Sequence, residues 1–262
     1  MKKILLALGC FLLIFNLNQV EAKDGKAGGL KELLASSLAE NEAGFVFLGF
    51  SGVVVRTSKR TIIIDPADML KAEDLKALKE KKVDLVLFTH SHSDHYTLKD
   101  TINIFKETGA PVVAERVVAM ELGGKIPAGK LITAAPGKTY TFGEIKVNVI
   151  EGRHVGPINL YQIRIGNLSL FHGGDSGYVS LKDYPSDLAF LPTGNPSPTA
   201  SPQDAFNMAS DLKPSAVVCI HGSAGQNKDF ENRIKRAMPN TTVIIPEPFA
   251  LKVVSLPKRG QV

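Results

Sequence analysis

The sequence predicts an α/β fold in which two mixed sheets stack face to face with helices on the outside. Three observations carry that expectation. Short β-branched and apolar runs alternate with amphipathic segments through residues 45–122, which calls for helices packed over a sheet. Strand pairs joined by tight turns fill residues 139–171, and a second alternation of strands and helices follows to residue 254. No Pro/Ser-rich linker divides the two halves, so residues 23–262 read as a single domain. With 262 residues, 44% of them hydrophobic, the chain can bury a full core.

The amino terminus has a separate character. Met1-Lys2-Lys3 precedes an apolar run over residues 4–17 and the small-residue approach Val20-Glu21-Ala22. A basic start, a short apolar stretch and small residues before a cleavage point make residues 1–22 a secretory signal peptide cut after Ala22. The rival reading is a membrane anchor, but the run falls short of the roughly 20 apolar residues a span requires. The expectation is a periplasmic or secreted protein with no stable membrane span after cleavage. Cys10 sits within the apolar run, which continues beyond it and disfavours a lipid-modified cysteine. Cleavage leaves Cys219 alone, so no intramolecular disulfide can form. Loss of Lys2, Lys3 and Glu21 lowers the formal net charge from +5 to +4. The remaining lysines are scattered rather than blocked together, and no nucleic-acid partner is expected.

Residues 23–29 are polar and glycine-rich. Leu30, Leu33, Leu34, Ser37 and Leu38 then recur with helical spacing, predicting a leading helix that Gly44 ends. Residues 45–48, 53–57 and 61–64 form an antiparallel meander closed by Asp65-Pro66. Residues 71–82 form an amphipathic helix, 83–88 a buried strand, 98–108 a helix, 111–114 a strand and 115–122 a helix. From Lys130 strand pairs take over: 139–142 with 145–150, then 160–165 with 168–171 around Gly166-Asn167. A buried strand at 187–191 precedes a helix that Ser201 caps, with Pro202 in its first turn and Asp204 near the positive end of its dipole. Lys213-Pro214 ends that helix. A strand at 216–220, a helix at 228–238 and closing strands at 241–245 and 250–254 complete the chain. Cys219, on an apolar strand, reads as a core residue.

Thr89-His90-Ser91-His92-Ser93-Asp94-His95-Tyr96 holds three of the six histidines and follows the buried strand directly. Imidazole and carboxylate are ligands for zinc and similar divalent ions, and a rigid strand end can aim several at one point. The other candidates also follow strands in glycine-rich loops: His154 in Gly152-Arg153-His154-Val155-Gly156, Asp175 in Gly173-Gly174-Asp175-Ser176-Gly177, and His221 before Gly222. His172, at a strand end near Asp175, is a candidate for supporting a ligand from behind. Gly174-Asp175-Ser176-Gly177 echoes the nucleophile loop of serine proteases. Tyr178 in place of the next glycine, and the lack of a matching histidine loop, reject that reading.

His90-x-His92-x-Asp94-His95, the later His154, Asp175 within Gly-Asp-Ser-Gly and the late His221-Gly222 resemble the metallo-β-lactamase superfamily in order and interval. The resemblance implies an αββα sandwich with a metal site at one edge of the sheets. It puts His90, His92 and His154 on one metal and Asp94, His95 and His221 on a second, with Asp175 bridging and Asp94 also serving as proton carrier. Phe47-Leu48-Gly49-Phe50-Ser51-Gly52, Ile64-Asp65-Pro66 and Gly174-Asp175-Ser176-Gly177-Tyr178 resemble the branch holding L-ascorbate-6-phosphate lactonase and N-acyl phosphatidylethanolamine phospholipase D. Phe50 stands where that branch has a histidine, and Ser176 where it has a threonine.

The expected function is therefore hydrolysis of an ester, lactone or phosphodiester in a small-molecule substrate. Hydroxide on a dinuclear centre would be the nucleophile. The two divalent ions are expected to be zinc, although ligands without thiolate also allow manganese or iron. A β-lactam hydrolase is the rival enzyme, and a metal- or ligand-binding protein without turnover the rival from another class. The sequence leaves the substrate and the oligomeric state open.

Overall fold

A computed structural model describes residues 28–257. The expected signal peptide, residues 1–22, lies outside them. Among the described residues no helix is long and apolar enough to cross a membrane.

The chain opens with α1 (Gly29–Ala35) and the meander β1 (Glu42–Gly49), β2 (Gly52–Thr57) and β3 (Thr61–Ile64). Next come α2 (Ala72–Glu80), β4 (Leu85–Phe88), α3 (Leu98–Thr108), β5 (Val112–Ala114), α4 (Arg116–Leu122) and β6 (Leu131–Thr133). The second half runs β7 (Thr139–Phe142), β8 (Ile145–Glu151), β9 (Asn159–Ile165), β10 (Leu168–His172) and β11 (Leu188–Pro192). It continues through α5 (Pro202–Leu212), β12 (Ala216–Ile220), α6 (Ala224–Ala237), β13 (Thr242–Ile244) and β14 (Leu251–Ser255). Two seven-stranded sheets result, ordered β14-β1-β2-β3-β4-β5-β6 and β13-β12-β11-β10-β9-β8-β7.

The side-chain alternation of each strand shows how the layers are bound together. Leu85 and Leu87 of β4 enter the core between the sheets, while Val86 and Phe88 face the helices over the first sheet. Ile62 and Ile64 divide from Ile63 in the same way. In the second sheet Leu188 and Phe190 enter the shared core, and Ala189 and Leu191 meet the outer helices. A strand covered on both faces needs apolar residues at every position, which is why these segments read as unbroken hydrophobic runs. Full burial of a Val, Leu or Phe side chain contributes roughly 1.5–3 kcal/mol. The layer that both sheets share, which includes Phe45, Tyr161, Phe190 and Val218, is thus a dominant stabilising term. Cys219 lies in the core between the second sheet and its helices, as its strand position requires.

Several expectations are corrected. The leading helix stops at Ala35: Ser36 turns extended, and its hydroxyl donates to the Leu33 carbonyl at 2.7 Å. Gly44 ends no helix but lies inside β1, where an added Cβ would sit 2.7 Å from Leu33 Cδ1. Residues 131–133, for which no strand was expected, extend the first sheet as a parallel partner of β5. The last helix starts at Ala224 because Ser223 and Gln226 form a reciprocal cap. The two closing strands part company, β13 pairing with β12 and β14 returning to β1.

Candidate metal centre

Strand direction brings the candidate residues together. β3, β4 and β5 run parallel, and β8 and β10 both run antiparallel to β9. The loops after β3, β4, β8, β10 and β12, together with the β1–β2 turn, therefore open at one edge of the sandwich. They carry Asp65, the His90–His95 run, His154, Asp175 and His221.

Two groups form there. His90, His92, His154 and Asp175 each offer a ligand atom within 4.8 Å of the others, and so do Asp94, His95, Asp175 and His221. All seven sequence candidates for ligands are included, and Asp175 belongs to both groups. Within the second group Asp175 Oδ1 lies 2.9 Å from His95 Nε2 and 2.7 Å from His221 Nε2. Asp94 Oδ2 stands farther off, 3.8 and 3.7 Å from the same two nitrogens.

Tautomers decide which imidazole nitrogens are free to bind a cation. Thr89 Oγ1 donates to Asp65 Oδ2 at 2.6 Å, so toward His90 Nδ1, 3.0 Å away, it can only accept. His90 thus carries its proton on Nδ1, and its Nε2 is buried without a partner. Thr199 Oγ1 is likewise committed, donating to the Asp175 carbonyl at 2.9 Å and accepting from His154 Nδ1 at 2.8 Å. His154 Nε2 is left bare, 3.2 Å from His92 Nδ1. His95 Nδ1 donates to Asp65 Oδ2 at 2.8 Å, and its Nε2 faces His221 Nε2 at 3.1 Å. His90 Nε2 without a partner in the interior, His154 Nε2 bare against His92 Nδ1, and two imidazole nitrogens converging on Asp175 Oδ1 make a donor set that a cation satisfies.

The electrostatics agree. Burial, aided by the neighbouring His95, pushes His90 down to about 2, so its ring stays neutral. Burial also opposes charge on His95, yet the carboxylates of Asp65 and Asp175 outweigh it and raise His95 to about 10. Asp175 is held below the usual carboxylate range: burial resists, but hydrogen bonds from His221 and His95 prevail. Without metal, the His95 proton lies between two buried carboxylates. A cation at Nε2 would take over the role of that positive charge.

His172 is completely buried and binds no candidate ligand. Its Nε2 donates to the Ser51 carbonyl at 2.9 Å, and its Nδ1 accepts from Gly174 N at 3.2 Å. Both nitrogens are spent on backbone, and the ring ties the loop before Asp175 to the β1–β2 turn. Sequence reasoning missed Thr89 and Thr199, and took Asp65 only as a strand terminator and a family-like turn. Asp65 also accepts from Thr89 N at 2.7 Å and is fully buried. A buried aspartate at a strand end beside a histidine cluster was the available signal. Behind His221, Gly222 leaves no room for a side chain, since a Cβ would fall 1.9 Å from Thr193 Oγ1.

Comparisons with known proteins bear on this geometry. Residues 45–221, which contain all seven candidates, match a family model described as a β-lactamase superfamily domain. The chain is 32% identical over 205 residues to a metal-dependent hydrolase of Bacillus licheniformis, covering 67% of this chain and 83% of that protein. It is 27% identical over 206 residues to a metal-dependent hydrolase of Pyrobaculum islandicum, covering 72% and 90%. Among solved structures, Igni18, described as a metallo hydrolase of Ignicoccus hospitalis, superposes with a TM-score of 0.69 at 23% identity, over 81% of this chain and 98% of that one. At that identity the likeness establishes the fold alone.

Proposed function

The chain belongs to the metallo-β-lactamase superfamily, and from that footing we propose that it is a metal-dependent hydrolase with a dinuclear centre, cleaving an ester, lactone or phosphodiester in a small molecule. The observation that carries this reading is the pair of His/Asp groups sharing Asp175. Divalent cations, zinc by preference, would supply Lewis acidity and an acidified water when bound. The chain's own residues do the rest. Thr89 and Thr199 fix the tautomers of His90 and His154, and Asp65 fixes that of His95. Asp94 is partly exposed and the most loosely held of the seven. Its Oδ2 is placed to take a proton from attacking water and return it to the leaving group. His92 is exposed and His154 half-buried, so substrate reaches the cluster from their side. The motif segments around Phe47, Asp65 and Tyr178 support placing the chain in the lactonase and phospholipase D branch.

The deciding experiment is metal analysis of reconstituted protein, paired with turnover on lactone, phosphodiester and β-lactam substrates before and after chelation. We expect two metals per chain and activity that chelation removes and zinc restores. Fewer than one metal per chain overturns the dinuclear centre, and turnover that survives complete chelation overturns metal dependence. We also propose export directed by residues 1–22, from their basic start and short apolar run. Amino-terminal sequencing of the mature protein should begin at Lys23; an intact Met1 terminus on exported protein refutes cleavage.

A further inference from the structure

Phe50 occupies the turn Gly49-Phe50-Ser51-Gly52 between β1 and β2, at the edge of the sandwich where the ligand loops open. Its backbone is left-handed, with φ of 50°. That region suits glycine and is uncommon for a bulky residue, where it costs on the order of 1–3 kcal/mol. The Phe50 carbonyl accepts the His221 amide at 3.0 Å, and the ring centroid lies 5.9 Å from the His221 imidazole. Core packing does not explain the side chain, because Phe50 is 41% exposed. An aromatic ring therefore projects into solvent beside a candidate ligand, from a turn that would accept glycine with less strain. On the other group, Val155 follows His154 directly and is 62% exposed. Both groups thus have an exposed apolar side chain adjoining a candidate ligand. Cationic residues are scarce in the same loops. The stretches 89–96, 151–156, 172–177 and 220–223 contain one Lys or Arg, Arg153, and Asp204 holds its guanidinium at 3.0 Å. A phosphate group would find no free guanidinium fork in these stretches.

We propose that Phe50 selects the substrate and that the substrate is a neutral ester or lactone whose apolar acyl chain lies against the Phe50 ring. The inference rests on the hydrolase reading above and narrows it. The bond broken is the acyl C–O bond and the co-reactant is water, giving a carboxylic acid and an alcohol from an ester, or a single hydroxy acid from a lactone.

The test compares zinc-reconstituted wild type with Phe50→Gly and Phe50→Leu on p-nitrophenyl acetate, butyrate, hexanoate and octanoate, with bis(p-nitrophenyl) phosphate alongside. Each methylene buried against the ring is worth roughly fourfold, from about 0.8 kcal/mol per CH2. Partial contact along the chain should raise kcat/KM at least about tenfold from acetate to octanoate, chiefly through KM. Phe50→Gly should flatten that series to within about threefold, and Phe50→Leu should restore much of the slope. Glycine relieves the left-handed backbone, so Phe50→Gly should melt no lower than wild type. A chain-length slope unchanged in Phe50→Gly overturns the proposal, as does faster turnover of the phosphodiester than of the octanoate ester. Calorimetric binding of octanoate and acetate separates this inference from the hydrolase reading. If no ester is cleaved, octanoate binding at least about tenfold tighter than acetate in wild type, and not in Phe50→Gly, upholds the apolar site while the activity fails. Equal affinity in the wild type overturns the site itself.

Discussion

The two ligand groups share Asp175 but are enclosed to different degrees. His95, His221 and Asp175 are buried, and Asp65 locks His95 from behind with a buried carboxylate. In the other group His92 is exposed and His154 half-buried, and the hold on His154 is a single threonine hydroxyl. The group around His95 is the more enclosed, with Asp94 its one partly exposed member; the other keeps His90 buried but opens at His92 and His154. The difference teaches that a braced pocket can fix a cation while an open partner leaves coordination positions for water and substrate.

Removing a histidine from each group should break the symmetry most visibly. In metal-free protein His95→Ala leaves Asp65 and Asp175 as buried carboxylates without their shared cation, a loss of about 3–5 kcal/mol. His92→Ala removes an exposed ring and should change stability by no more than about 0.5 kcal/mol while still abolishing turnover. Denaturant unfolding of both variants, with circular dichroism to confirm the fold, checks this; equal stability losses would refute the contrast.

The braces give the next largest effect. Asp65→Asn should weaken one of two metal-binding steps by about 10–100-fold, and Thr199→Val should weaken the other by less than about tenfold. Stepwise metal titration by calorimetry reads both. If Asp65→Asn weakens both steps equally, the groups are not separable.

A further effect lies away from the rim and emerges only at alkaline pH. Burial, aided by the charge of Glu231, pushes the Cys219 thiol up to about 12. Because the folded value is raised, thiolate is absent from the native state through pH 9, and the unfolded chain ionises first. Thiol reagents should leave native protein unlabelled at pH 8–9 and label it fully in denaturant, and stability should fall between pH 9 and about 12. Fast native labelling would show that this core opens readily.

The same division explains what could be read from sequence. The His90–His95 run is local, so its residues sit within one turn of each other whatever the rest of the chain does. The inward and outward alternation of strands such as β4 is also local, and the two-layer fold followed from it. Asp65 and Thr199 act through hydrogen bonds that span 24 to 45 residues, and Thr89 fixes its neighbour His90 only because its hydroxyl proton is committed to Asp65, 24 residues away, with no periodic signature. Sheet membership of the short strands was hidden for a related reason. The closing segments 241–245 and 250–254 both look like ordinary strands, and only three-dimensional pairing decides that they join different sheets.

The return of β14 to β1 constrains how the molecule comes into being. Glu42 pairs with Ser255 and Val46 with Leu251, so the outer side of β1 is covered by a segment 213 residues farther along the chain. Until residue 255 emerges, β1 presents an open line of amide and carbonyl groups flanked by Phe45, Val46 and Phe47, a template for mispairing with another chain. Completion of the first sheet must wait for residues 251–255. A nascent or truncated polypeptide lacking residues 251–255 would therefore be a client for holding chaperones, although every residue of the candidate metal centre had already been synthesised.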